Sequence, residues 1–274
     1  RRPPPRQHRQ PRCLGQAPHV KPNPLLPLWK SGQPAFGTWL LISRHPRTMK
    51  IFAACGFDFV IVEMEHSDFD METVGILVMA ARDNGLAPIV RPPGTSKPHD
   101  LTRCLDAGAM GLLLPNVESA AQAEEIVRAT KYYPRGRRPM NLRLPATDYK
   151  PGKPQETADF LNANTVLVAM IETQAALDAV DEIAAVDGID GLMVGPDDLT
   201  QDWGIPGQFN DPRLEAAHLR VIEAAKKHGK VCGSSVQNEA AAKTWVARGW
   251  QWVPYANDTA MLLNHGTEMV GRLQ

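Results

Sequence analysis

The residues most suited to chemistry stand in short blocks, each at the end of an apolar run. VEMEH (62–66) brings Glu63, Glu65 and His66 together, and VRPPG (90–94) places Arg91 just before two prolines. Glu172 lies in MIET (170–173), and Asp197 and Asp198 are neighbours in GPDDLT (195–200). Carboxylates are hard oxygen ligands that suit Mg²⁺ or Mn²⁺, with waters or a chelating substrate completing an octahedron. An arginine offers a fixed fork of donors to an oxyanion, and a histidine changes charge near neutral pH. Taken singly, the carboxylates serve equally well as ion-pair partners, and a lone histidine is more often a surface or core residue.

These blocks act together only if the fold delivers them to one place. From Phe36 onward, short apolar runs alternate with amphipathic stretches. The strand candidates are 36–42, 57–64, 87–93, 111–117, 165–172, 190–195, 230–236 and 250–256, read as strands buried on both faces. Helical patterns cover 70–85, 119–133 and 211–229, the last opening on Asp and closing on Lys, His and Gly. Gly56, Gly85, Gly229 and Gly249 fall between a helix and the next strand, where a left-handed cap is required. Strict alternation over some 240 residues predicts an α/β fold, a (β/α)8 TIM barrel. An open doubly wound sheet is disfavoured, because neither GxGxxG nor GxxxxGK[ST] is present. In a barrel the ends of strands 1, 2, 3, 5 and 6 carry Trp39, Glu63 to His66, Arg91, Glu172, and Asp197 with Asp198 to one mouth. The polar segment 134–164 is expected to follow strand 4 and hang over that mouth.

Composition narrows the function classes. The chain has 274 residues, 30 basic and 30 acidic, 43% hydrophobic and 22% charged, which is ordinary for a globular protein. No stretch approaches 18 consecutive apolar residues, so no membrane span is expected. Balanced charge and 6% aromatics argue against a nucleic-acid binder. Cys13, Cys55, Cys104 and Cys232 form no CxxC pair, which fits reduced thiols in a cytoplasmic compartment. The zero net charge is uneven: residues 1–30 hold seven Lys or Arg and no acid, leaving a net of −7 on residues 31–274. The first segment reads as a flexible, Pro/Arg-rich basic leader, and the remainder as one catalytic barrel domain. A targeting role for the leader competes with an arm without chemistry, and the absence of an apolar or amphipathic core favours the arm. It carries no initiator Met, so it reads as incomplete or artificial.

VEMEH, VRPPG, LDAGAMGLLLPNVES (105–119), MIET and GIDGLMVGPDDLTQDWGIPGQ (188–208) occur in series. With them, residues 31–274 resemble the HpcH/HpaI aldolase/citrate lyase family, most closely its class II pyruvate aldolases. Those include 4-hydroxy-2-oxoheptanedioate and 2-dehydro-3-deoxyglucarate aldolases. The resemblance implies Glu172 and Asp198 as ligands of a divalent ion (Mg²⁺, Mn²⁺ or Co²⁺), Arg91 as the essential arginine and His66 as the catalytic histidine. It implies Asp106 as the residue orienting that histidine, although one extra residue separates Asp106 from Arg91. It also implies Trp39 in the substrate pocket and backbone groups from Gly195 through Asp197 to Asp198 on the pyruvate carboxylate. The activity implied is cleavage of a 4-hydroxy-2-oxo acid to pyruvate and an aldehyde, with a homo-hexamer of dimers that exchange C-terminal helices. Alternatives are other enolate chemistry, such as oxaloacetate decarboxylation or macrophomate synthesis, or a ligand-binding barrel without turnover. No strand end offers a lysine for a Schiff base apart from the turn residue Lys97, which disfavours a class I aldolase. The sequence departs from many relatives at Met170, where they carry Gln, and over 134–164.

Overall fold

The computed structural model describes residues 20–236 and 238–274. Eight parallel strands close in sequence order into a barrel. They are β1 (Ala35–Leu40), β2 (Phe59–Glu63), β3 (Ala87–Arg91), β4 (Gly111–Leu114), β5 (Val166–Ile171), β6 (Gly191–Val194), β7 (Val231–Ser234) and β8 (Trp252–Asn257). A short helix, α1 (Leu25–Lys30), precedes β1. The crossovers carry α2 (Arg47–Cys55), α3 (Met71–Asp83), α4 (Pro98–Asp106), α5 (Ala120–Thr130) and α6 (Pro154–Asn164). They continue with α7 (Gln174–Asp178), α8 (Val180–Ala185), α9 (Pro196–Asp202), α10 (Pro212–Lys227) and α11 (Glu239–Arg248). The last helix, α12 (Asp258–Leu273), follows β8. The (β/α)8 barrel expected from the alternation is therefore the fold observed.

Side chains alternate across each strand with period two, and the two phases build two cores. Phe59, Ile61, Ala87, Ile89, Val166, Val168 and Met193 fill the barrel interior, whereas Val60, Val62, Val90, Leu112, Leu167 and Val194 pack outward under the helices. The four glycines expected between helix and strand (Gly56, Gly85, Gly229 and Gly249) all have positive φ, as a helix ending there requires. Strand β4 is shorter than its apolar run suggests. It stops at Leu114 because Pro115 has no N–H to offer a ladder and Asn116 turns left-handed, with φ +53°.

Two expectations about the ends of the barrel are corrected. The leader boundary at residue 31 moves, since residues 20–30 belong to the fold. Leu25 is fully buried, Trp29 packs edge-on to Trp252, and Asn23 Nδ2 donates to the carbonyls of Met110 and Asn164 at 3.0 Å. Helix α1 thus plugs the N-terminal end of the barrel; residues 1–19 of the expected leader, Cys13 among them, lie outside the described residues. The segment 134–164 does not cover the mouth. Helix α5 has already carried the chain back to the opposite end, where the segment packs beneath the barrel and leads through α6 into β5. It is tied there by Arg82 to Asp148 (3.4 Å), by Arg138 to Asp106 (2.6 Å) and by Lys131 Nζ to the carbonyls of Asn162 and Thr165 (2.9 and 2.5 Å).

On the outer wall, His218 of α10 is buried against the rings of Trp245 and Trp250, with no hydrogen-bond partner at Nδ1. Burial pushes its imidazole down to about 4. The unfolded chain then binds the proton more readily than the folded one, so stability is full above pH 6.5 and is lost as pH falls toward 4. We expect urea unfolding to show a loss of roughly 3 kcal/mol from this group over that interval. In His218→Leu that part of the slope should vanish; an unchanged slope would contradict the assignment.

Candidate active site

The inward phase that fills the barrel with apolar layers ends in polar residues at the C-terminal mouth. Along β2 the inward series is Phe59, Ile61, Glu63; along β3 it is Ala87, Ile89, Arg91. Residues Val166, Val168 and Met170 lead up β5 to Glu172, and Met193 leads up β6 to Gly195. Glu63 and Arg91 are direct partners in the β2–β3 register, as are Met170 and Met193 between β5 and β6. The phase fixed by the core therefore sets Glu63 beside Arg91 above the last apolar layer.

The resulting cavity has a volume of about 280 Å³ and is lined by Trp39, His66, Arg91, Gly195, Asp197 and Asp198 among others. A larger cavity of about 640 Å³ lies between α4 and α5 on the outer wall, bounded by apolar groups such as Leu101 and Ile126. The smaller one gathers the strand-end charges, and it is the candidate active site.

Arg91 is fixed from three sides. Its Nε donates to Glu63 Oε2 at 2.5 Å, its Nη1 lies 3.2 Å from Glu65 Oε2, and its guanidinium stacks 4.8 Å from the Trp39 ring. Glu63, only 1% exposed, also uses Oε1 to accept from the N–H groups of Glu65 and His66 at 2.5 and 3.1 Å. One carboxylate thus shapes the VEMEH turn and anchors the arginine. Burial raises the pKa of Glu65, against the lowering effect of Arg91 and His66. His66 stands at the rim with 63% of its side chain exposed, and its Nε2 is 3.9 Å from Glu65 Oε2.

Glu172 is 1% exposed, and its Oε1 accepts from the Asn116 N–H at 2.6 Å, while Oε2 is buried with no partner. Burial is the main cause that pushes its carboxyl up to about 7, and the charges of Asp198 and Glu65 add to it. Gly195 makes room for this group, since a Cβ there would sit 2.7 Å from Glu172 Oε2. Asp197 and Asp198 occupy the first turn of α9 beside it. A buried, partnerless carboxylate oxygen that feels the charge of a second carboxylate is a donor set that a divalent cation fits. Among the described residues no cluster of three or more His, Cys, Asp or Glu ligands is found. Two carboxylates would leave most of an octahedron to water and substrate oxygens.

Trp39, His66, Arg91, Glu172, Gly195, Asp197 and Asp198 are therefore brought together. Asp106 is not. It ends α4 at the opposite end of the barrel, with its carboxylate on Arg138, so within the chain the expected link to His66 is replaced by Glu65 as the adjacent carboxylate. Sequence reasoning missed Ser235, whose Oγ accepts from Trp39 Nε1 at 3.0 Å. Its inward phase, two residues beyond Gly233, was the available signal. It also missed the Asn116 amide, for which residue type gives no signal.

A closed barrel with charged groups at the C-terminal mouth defines a barrel enzyme, here a carbon–carbon lyase. The chain belongs to the HpcH/HpaI aldolase/citrate lyase family, whose model matches residues 36–264. It is 32% identical over 255 residues to a hydroxypyruvate/pyruvate aldolase of Roseobacter denitrificans, covering 92% of this chain and 98% of that one. It is 33% identical over 222 residues to a 5-keto-4-deoxy-D-glucarate aldolase of an Enterobacter species, covering 81% and 85% of the two chains. The crystal structure of an HpcH/HpaI aldolase from Desulfitobacterium hafniense matches with a TM-score of 0.86 at 33% identity, covering 90% and 95%.

Removing Glu63 would leave the buried Arg91 cation with Glu65, at 3.2 Å, as its one remaining carboxylate partner. We expect Glu63→Leu to cost about 3 kcal/mol in unfolding experiments, and Glu63→Gln distinctly less, because the amide oxygen still accepts from Nε. Equal stability of Glu63→Leu and wild type would contradict the anchoring role.

Proposed function

We propose that this aldolase is divalent-metal-dependent and cleaves a 4-hydroxy-2-oxo acid to pyruvate and an aldehyde, running the addition in reverse. The observation that carries the reading is the buried, partnerless Oε2 of Glu172, set beside Asp198 and near an arginine already pinned in place. Glu172 and Asp198 would hold the metal ion (Mg²⁺, Mn²⁺ or Co²⁺). When bound, the ion supplies Lewis-acid polarisation of the 2-oxo group.

The chain's own groups supply the rest. His66 takes the proton from the 4-hydroxyl oxygen; the C4–O bond becomes the aldehyde carbonyl as C3–C4 breaks. The bonding pair passes into C3=C2–O⁻, and Arg91 donates hydrogen bonds to the oxygen that gains charge. Return of the proton to C3 completes pyruvate. Glu63 and Glu65 keep the guanidinium from turning, and Trp39 walls the site behind it. The backbone about Gly195 and Asp197 receives the pyruvate carboxylate. Pyruvate in the names of related aldolases supports this half of the substrate. We further propose that the chain works in the cytoplasm and forms a homo-oligomer, a hexamer, whose association is supported by Leu262, Leu263, Met269, Val270 and Leu273 exposed on α12. Among the described residues no helix is long and apolar enough to cross a membrane.

The test follows pyruvate release from a 4-hydroxy-2-oxo acid after removal of metal. Chelator should abolish turnover and Mg²⁺, Mn²⁺ or Co²⁺ restore it. Arg91→Lys should lose on the order of 10²-fold or more in kcat. Full activity in chelator would overturn the metal assignment, and pyruvate from oxaloacetate alone would favour decarboxylation.

A further inference from the structure

Glu172 is oriented by a backbone amide, and that amide belongs to a residue in a conformation few L residues prefer. Asn116 donates to Glu172 Oε1 from a φ of +53°. A single side chain in the first turn of α5 holds it there. Gln122 Nε2 donates to the Asn116 carbonyl at 2.7 Å and to Thr95 Oγ1 at 3.1 Å, while Oε1 accepts from the Glu118 N–H at 2.9 Å. Its own backbone N–H is capped by Ser119 Oγ at 3.2 Å, which fixes the side chain's starting point. Both amide donors and the acceptor are thus in use. They tie the β4–α5 turn, which carries Asn116, to the β3–α4 loop that follows Arg91. Gln122 is not among the residues that line the mouth cavity.

We propose that Gln122 is a positioning residue for the metal-binding carboxylate, acting through the Asn116 peptide; this rests on the metal reading above. Loss of the Nε2 donor frees the carbonyl on the far side of the Asn116 Cα, so that the backbone can turn there toward negative φ. That swings its N–H away from Glu172 Oε1 and lets the carboxylate rotate out of register with Asp198. A strut of this kind matters to ion affinity much as the outer partners of metal ligands do.

The test is a Mn²⁺ titration of the full chain without substrate, read by loss of the free-ion electron paramagnetic resonance signal. Gln122→Met and Gln122→Leu both remove every polar atom of the side chain without adding charge, the first keeping its length. Both should raise the Mn²⁺ dissociation constant about tenfold. Thr95→Val, which cuts only the loop tie, should stay within about twofold of wild type. If Gln122→Met does not fold, Gln122→Leu decides. Wild-type affinity in the folded variant overturns the proposal, and so does an equal loss in Thr95→Val, which would make Gln122 a plain loop tie. A wild-type chain that takes up no Mn²⁺ overturns the metal reading itself, and this proposal with it.

Discussion

An excess of negative charge at the barrel mouth, two of its carboxylates buried and two half-buried, is the constraint around which the site is arranged. Glu63, Glu65, Glu172 and Asp198 converge there, and Arg91 is the one Lys or Arg among the described residues lining the cavity. Arg91 is committed to Glu63 and Glu65 by contact. Glu172 feels the charge of Asp198, and burial, with that repulsion added, pushes the Glu172 carboxyl up to about 7. An arrangement of this kind is costly in an apolar barrel unless a cation or a proton relieves it. Its persistence next to a glycine that clears space for the same carboxylate gives the mouth its chemical character.

Stability and chemistry are divided between the two ends of the barrel. At the N-terminal end, α1 seals the interior, Arg82, Lys131 and Arg138 bind loop carbonyls and carboxylates, and Asp106 completes a pair. There Arg82 and Arg138 each meet a carboxylate, with the Nε of both left buried without a partner, and Lys131 is held by carbonyls alone. At the C-terminal end one carboxylate oxygen is unmatched, and the histidine stands exposed. The same strands serve both ends, because one inward phase supplies apolar layers first and polar ends last.

Much of this was legible before any coordinates. All eight apolar runs became strands, and the residues at their C-terminal ends converge because parallel strands in a barrel must bring those ends together. The misplacements share a cause, which is that position along the chain does not say which end of the barrel a residue occupies unless every helix is counted. Segment 134–164 follows α5, and Asp106 ends α4, so both lie beneath the barrel. Residues 20–30 were read as tail because a six-residue helix carries too short an apolar pattern to stand out from a proline-rich stretch. The Asn116 amide was invisible, since a backbone N–H leaves no mark in residue type, and nothing in the sequence ties the Gln122 side chain to the Asn116 carbonyl.

The central claim is that a divalent ion completes the mouth between Glu172 and Asp198. It is tested most directly by diffraction from crystals grown with Mn²⁺, using the anomalous signal to locate the ion. The account predicts one strong peak at the mouth, with carboxylate oxygens of both residues within about 2.2 Å of it. A peak elsewhere on the chain, or none at the mouth when Mn²⁺ saturates the crystal, would contradict it.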